Sequence, residues 1–376
     1  MDEFELIERD FVRGTPSLGS SLPSLPSSSS PSSQRAVVGI GDDCAVIRIA
    51  PGHEIAMSTD MLVEGRHFIA GTDPERLGHK ALAVNLSDCA ANGAIPRYAL
   101  LAMALPDASE EWLAAFSRGL FALADRFDVE LIGGDTTRGP LNLCVTIVGE
   151  VPAGSSLLRS GARVGDEVWV SGRLGSAAIG LAVLQDAKSS RAEMRDAKSS
   201  RDEMADVKSS RREMPDAKWP LSSDDRRRAI DSLEMPEPRV ALGVALRGIA
   251  TAAIDVSDGL IGDLGHIVER SRVGAEVFVD TIPCEPWLRA MRALRATRGG
   301  DLARVANRAL LAGGDDYELC FTAAASSESA VRAAGRNARV EVTKIGRIVE
   351  GNALRVIDID GTLMPMDHLH AFDHFR

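Results

Sequence analysis

Six short acidic blocks hold the residues whose types and spacing could do chemistry: Gly39-Ile40-Gly41-Asp42-Asp43, Ser58-Thr59-Asp60, Asn85-Leu86-Ser87-Asp88, Gly133-Gly134-Asp135-Thr136-Thr137-Arg138-Gly139, Asp255-Val256-Ser257-Asp258-Gly259 and Gly313-Gly314-Asp315-Asp316-Tyr317-Glu318. Carboxylates are oxygen donors for hard cations, and magnesium takes one or two of them together with waters and phosphate oxygens. The pattern therefore predicts carboxylates that converge on cations and on the phosphates those cations carry. That is phosphoryl chemistry.

Such residues need elements to position them. An apolar run precedes each turn, as with Ala36-Val37-Val38 before Gly39 and Leu131-Ile132 before Gly133, so the carboxylates are expected at strand ends, where α/β sheets open to ligands. Asp43 and Asp60 are expected to follow strands. Residues 54–58 and 141–149 read as strands, and residues 74–92 and 110–127 carry the 3.6-residue apolar period of helices. In the second half, residues 167–171 read as a strand and residues 176–184 and 259–268 as helices. Asp88 falls in an apolar helix, where an aspartate is costly unless paired. Ser257 and Asp258 precede a helix whose N-terminal N–H groups would suit a phosphate. The fold class expected is α/β (α+β), with two mixed-sheet domains over residues 1–152 and 153–376 and a hinge near residues 152–163.

Two segments fall outside this plan. Residues 14–34 are mostly Ser, Pro, Gly and Leu, a composition that buries too little to offset its ordering entropy, and are expected to form a disordered loop. Residues 186–218 hold three copies of a ten-residue unit, Asp-Ala/Val-Lys-Ser-Ser-Arg-x-Glu-Met-x, and the start of a fourth. Apolar positions recurring every ten residues drift by about 80° per copy on a helix and make no constant face. The repeat is expected to be a charge-balanced, solvated and disordered expansion.

Several function classes are excluded. The chain has no Gly-x-x-x-x-Gly-Lys-Ser/Thr loop, no Gly-x-Gly-x-x-Gly opening a helix and no His-Arg-Asp loop, so a nucleotide must be held another way. Metal bridges from aspartates, with glycine N–H groups close to the phosphates, are the economical alternative. A net charge of -11 argues against a nucleic-acid partner. No apolar run reaches the roughly 20 residues that span a bilayer, and Met1-Asp2-Glu3-Phe4-Glu5 lacks the pattern of a signal peptide. The five cysteines are widely spaced without a zinc or disulfide pattern, as in a cytoplasmic protein.

Taken in order and spacing, the blocks resemble the thiamine-monophosphate kinase family, of the fold superfamily of aminoimidazole ribonucleotide synthetase and selenophosphate synthetase. The resemblance runs from about Glu3 to Phe375 with two interruptions. It implies metal binding by Asp43, Ser58, Thr59, Asp60, Asp88, Asp135, Asp255 and Asp258, and ATP contacts from Gly134, Asp135, Arg159 and Ser257. It also implies substrate contacts from His67, Asp315 and Phe372, and a homodimer built through the N-terminal domains. Asp315 stands where many relatives carry glutamate, and Phe372 where they carry tyrosine or tryptophan. Each role has a plainer reading: Asp42-Asp43 as a solvated turn, Ser257 or Asp258 as a helix cap, Arg159 as a hinge arginine paired with a surface acid, and His67 as a hydrogen-bonded surface residue.

The activity implied is magnesium-assisted transfer from ATP to thiamine monophosphate, giving thiamine diphosphate. A phosphate monoester is largely dianionic at neutral pH and needs no general base, which fits the absence of a catalytic histidine or cysteine. Two alternatives stand beside it. One is another ATP-dependent synthetase of the superfamily, although the reactive residue usual in selenophosphate synthetases is missing, since no cysteine precedes Cys44. The other is a non-catalytic thiamine-phosphate binding protein, which would be expected to show gaps among the ligand positions. All of them are filled.

Overall fold

The computed structural model describes residues 9–11, 36–107, 109–199, 219–294 and 300–365. Residues 14–34, the later repeat copies at 200–218 and Phe372 lie outside the described residues. The chain forms two compact units, Met1–Ser156 and Leu157–Arg376.

In the N-terminal unit, strands β1 (His53–Val63), β2 (Ile95–Leu105), β3 (Glu130–Arg138) and β4 (Asn142–Pro152) form a sheet of order β1-β4-β2-β3. β4 is antiparallel to both β1 and β2, and β3 is parallel to β2. Helices α1 (Pro74–Asn92) and α2 (Glu110–Phe127) have the bounds that the apolar period predicts. Asp73 caps α1, its carboxylate accepting the N–H groups of Glu75 and Arg76 at 2.9 and 3.1 Å. Pro74 fits the first turn, and left-handed Gly93 (φ 72°) ends the helix. The two helices touch through glycine: a Cβ on Gly78 would lie 2.0 Å from the Phe116 carbonyl oxygen, and one on Gly119 would lie 1.7 Å from that of Glu75.

β1 alternates in exposure, with Ser58, Asp60 and Leu62 less exposed than Met57, Thr59 and Met61. One face of the sheet therefore looks to α1 and the other is open. Residues 36–47 cover part of the open face, where Ala36, Ala45 and Ile47 pack on Tyr98, Ile132 and Val148.

The C-terminal unit has a six-stranded sheet of order β10-β7-β9-β5-β8-β6. Its strands are β5 (Asp166–Ser171), β6 (Ala250–Val256), β7 (Gly274–Phe278), β8 (Glu318–Ala324), β9 (Val342–Val349) and β10 (Leu354–Ile357). β10 and β7 are parallel, and the other pairings are antiparallel. Both sheets are mixed, as expected. Around the second run α3 (Ser176–Ser199), α4 (Ser223–Glu234), α5 (Val240–Ala245), α6 (Leu260–Ser271), α7 (Pro286–Ala293), α8 (Gly300–Ala312) and α9 (Glu328–Ala338). Val168, Val170, Ile254, Leu264, Leu310 and Cys320 are among its buried core residues. No helix among the described residues is long and apolar enough to cross a membrane.

α3 does not end near Leu184 as the apolar period suggests. It continues through the first repeat copy to Ser199, because Ala, Lys, Arg, Glu and Met are good helix formers and no breaker intervenes. Trp219, just after the repeat, donates its indole N–H to Asp186 Oδ2 at 2.6 Å.

Candidate active site

In the N-terminal unit three of the expected ligands gather on the helix-facing side of the sheet. The Ser58 hydroxyl donates to Asp88 Oδ2, so the aspartate in the apolar helix is paired. Asp60 lies two residues along the same face of β1, and its backbone N–H donates to Asn85 Oδ1 at 3.2 Å. Asn85, one turn before Asp88 on α1, is itself anchored by its amide to the Ala81 carbonyl at 3.0 Å. Burial, with the charge of Asp88 adding to it, pushes the thiol of Cys89 up to about 12. Burial and then Asp60 raise that of Cys144.

The other ligands of this unit lie elsewhere. The Thr59 hydroxyl is on the open face, 2.8 Å from that of Thr146. Asp135 aligns with Ala102, Cys144 and Met61 in the strand register, which places it on the open face as well. Asp43 sits in a bend whose N–H donates to Asp42 Oδ1 at 2.8 Å. His67 closes the turn after β1: its Nδ1 accepts from the Val63 N–H at 3.0 Å, and its carbonyl from Lys80 at 3.4 Å.

Three positional expectations need correction. Asp60 does not follow a strand but stands within β1, and Gly133-Gly134-Asp135 lies inside β3. Residues 36–38 form no named strand ahead of Asp43, only the bridge of Val38 to Val46. Glycine signals a turn in sequence, yet here it permits close strand contact. A Cβ on Gly134 would lie 1.8 Å from the Leu101 carbonyl oxygen, next to the bulge that skips Ile132.

In the C-terminal unit the last two blocks pack against each other. The Asp315 N–H donates to the Ser257 carbonyl and the Tyr317 N–H to the Val256 carbonyl, both at 2.8 Å. Gly314 is required there, since a Cβ would lie 2.5 Å from the Ser257 oxygen. Asp315 and Tyr317 both adopt left-handed backbone, at φ 68° and 50°, a strain that collects at functional sites. The Tyr317 hydroxyl donates to Asp315 Oδ1 at 3.2 Å. Asp255 is buried at the end of β6, and Ser257, Asp258 and Gly259 lead into α6. Arg159 lies on the segment beside β6, where Leu158 accepts from Ala253 and the Arg159 carbonyl from Ser271.

The anion site expected before α6 is partly filled by the protein itself. Asp263 Oδ2 accepts the N–H groups of Ser257, Asp258 and Gly259, each at 3.1 Å. Burial, with Asp258 adding to it, pushes the Asp263 carboxyl up to about 7. Two further carboxylates act as braces. Asp316 accepts the Gly175 N–H at the start of α3 at 2.8 Å, and burial holds it well above the ordinary carboxylate range. Glu318 takes a two-pronged contact from Arg239 and accepts the Ser171 hydroxyl at 2.5 Å. Sequence reasoning assigned none of these braces; Asp316 and Glu318 meet Gly175 and Ser171 across 141 and 147 residues. An acid in the first helical turn was the one local signal for Asp263.

Among the described residues no three His, Cys, Asp or Glu side chains form a closed metal cage. The donors are hard oxygens: Asp88 gathers with Ser58 and Asp60 in one unit, and Asp255 and Asp258 stand at and just beyond the end of β6 in the other. That chemistry suits magnesium, which leaves most of its coordination to water and phosphate.

These features fall within a known class. Residues 41–151 match the family model described as AIR synthase related protein, N-terminal domain, and residues 163–359 match the corresponding C-terminal domain. Within that class the chain belongs to the thiamine-monophosphate kinase family. It is 43% identical to the thiamine-monophosphate kinase of Salmonella typhimurium over 341 residues, covering 90% of this chain and 91% of the relative. It resembles the crystal structure of that kinase from Stenotrophomonas maltophilia with a TM-score of 0.71 and 41% identity, covering 88% of this chain and 92% of the other. A structure described as AaThiL complexed with AMPPCP and TMP matches with a TM-score of 0.64 and 27% identity, covering 89% of this chain and 92% of the other.

Proposed function

We propose that this chain transfers the γ-phosphoryl group of ATP directly to thiamine monophosphate, with magnesium, giving thiamine diphosphate and ADP. The observation that carries this reading is its likeness to thiamine-monophosphate kinases over 90% of its own length and 91% of theirs. A relative that holds AMPPCP, an ATP analogue, together with TMP supports the pairing of donor and acceptor.

A terminal oxygen of the acceptor phosphate attacks the γ-phosphorus in line, and the bond to the β–γ bridging oxygen breaks. The attacking ester is already dianionic, so no residue need remove a proton. The obstacle is repulsion between two anions, and magnesium, when bound, neutralises and aligns them. Several ions would be held: by Asp60 and Asp88 with Ser58 on the helix-facing side of the first unit, by Asp43, Thr59 and Asp135 elsewhere on that unit, and by Asp255 and Asp258 in the second. The paired Ser58 and Asp88 hydroxyl and carboxylate support the first-unit site. Gly134 and Ser257 would approach the nucleotide, and the planar fork of Arg159 would take phosphate oxygens. His67 and Asp315 would meet the acceptor, with Phe372 stacking on its rings.

An exposed apolar row on β1, with Ile55 38%, Met57 70% and Met61 55% exposed, supports a homodimer through the N-terminal units. Five free cysteines support a cytoplasmic location. The test is an assay of ATP turnover with thiamine monophosphate, with and without magnesium, following the thiamine product. Thiamine diphosphate in equal amount to ADP, lost on chelation, is expected. Failure to form thiamine diphosphate would contradict the reading.

A further inference from the structure

The block from Asp255 to Gly259 is gripped from two sides. Its carbonyl groups, at Val256 and Ser257, accept from Tyr317 and Asp315 at 2.8 Å. Its N–H groups, at Ser257, Asp258 and Gly259, all donate to the single oxygen Oδ2 of Asp263. Asp255 and Val256 are also paired with β8, and the Gly259 carbonyl accepts the Asp263 N–H at 3.0 Å as α6 begins, so between strand and helix the backbone at Ser257 and Asp258 is held by those two grips. Asp263 is 3% exposed and stands in the first turn of α6. It therefore fixes the backbone from which the Ser257 and Asp258 side chains project.

We infer that Asp263 is a positioning residue for phosphoryl transfer: it touches neither nucleotide nor acceptor but sets the loop that presents Ser257 and Asp258, in register with Asp315. The inference rests on the kinase reading for its reaction, though not for its geometry. A neutral oxygen accepts N–H groups more weakly than a carboxylate, and three donors sharing one acceptor magnify the difference. Loosening the loop displaces Asp258 while leaving the strands and the helix behind it intact.

The test compares wild type with Asp263→Asn and Asp263→Ala, with folding followed by circular dichroism. The expected result for Asp263→Asn is a fall in kcat of at least tenfold and a rise of at least fivefold in the magnesium concentration giving half-maximal rate. KM for thiamine monophosphate should stay within twofold. Calorimetric titration with magnesium and ATP should show at least tenfold weaker nucleotide binding. Asp263→Ala should move each quantity further in the same direction. Turnover and magnesium response within twofold of wild type in Asp263→Asn would overturn the inference. So would a fall in rate that merely tracks the folded fraction, with magnesium response unchanged. If wild type formed no thiamine diphosphate, only the kinase reading would fail, because the calorimetric comparison would still decide the role of Asp263.

Discussion

Asp88 and Asp258 are both expected metal ligands, yet the two units hold them by different means. Asp88 stands on a regular helix and accepts from a neutral group, the Ser58 hydroxyl of the facing strand. Asp258 stands on a loop whose backbone is held by another carboxylate, Asp263. The same holds for their neighbours: Asp60 is placed by the alternation of β1, whereas Asp315 is placed by backbone contacts to Ser257 beside the buried brace Asp316. Acidic residues in these blocks thus divide into donors and braces. A brace is buried and accepts several N–H groups or an arginine, whereas the donors other than buried Asp255 keep the carboxylate near the surface of their unit.

That division can be broken by mutation. Glu318 is the strongest brace, since it is buried and holds the Arg239 fork and the Ser171 hydroxyl together. Replacing it by glutamine leaves a mostly buried guanidinium without its counter-charge, which should cost about 3–5 kcal/mol. A urea unfolding curve for Glu318→Gln should show a midpoint far below wild type, and an unchanged midpoint would remove Glu318 from the braces. A smaller loss is expected where two helices of the N-terminal unit pack closely. Gly119→Ala would set a Cβ 1.7 Å from the Glu75 carbonyl oxygen, forcing α1 and α2 apart at about 1–3 kcal/mol. Thermal unfolding would register that loss, and a fall in activity without one would place the contact in the chemistry.

The cysteines sharpen the contrast at lower cost to the fold. Cys44 is exposed, whereas Cys89 and Cys320 are buried with thiols raised by burial. Alkylation of the native protein at pH 8, read by mass spectrometry, should modify Cys44 first and leave Cys89 and Cys320 untouched, because the thiolate is the reactive form. The smallest effect is expected from the repeat. Excising residues 186–215 joins Gln185 to Asp216, so an aspartate again follows Gln185, and three residues later comes Trp219. Connections between packed helices are commonly this short, and turnover should stay within twofold of wild type. A larger loss would give the repeat a role.

Much of this was legible in the chain. The bounds of α1 and α2 follow from an apolar period framed by a capping aspartate, a proline and a glycine, all local signals. The acidic blocks also stood out, because their order and spacing survive both inserts. Local signals misled where glycine serves contact rather than turning: Gly134 allows β3 to lie against Leu101, so Asp135 is inside a strand. The end of α3 was missed because the repeat lacks a constant apolar face but is made of helix formers. Two of the braces were illegible for a different reason. Asp316 meets Gly175 across 141 residues and Glu318 meets Ser171 across 147, and no local pattern reports such pairings.

The division between donors and braces is tested most directly by measuring thiamine diphosphate formation and unfolding side by side for Asp88→Asn and Asp258→Asn. Both substitutions keep size and shape while removing the charge a cation would need. The account predicts turnover lowered at least a hundredfold in each variant, with unfolding midpoints close to wild type. Near-wild-type turnover in either variant, or a loss explained by unfolding, would contradict it.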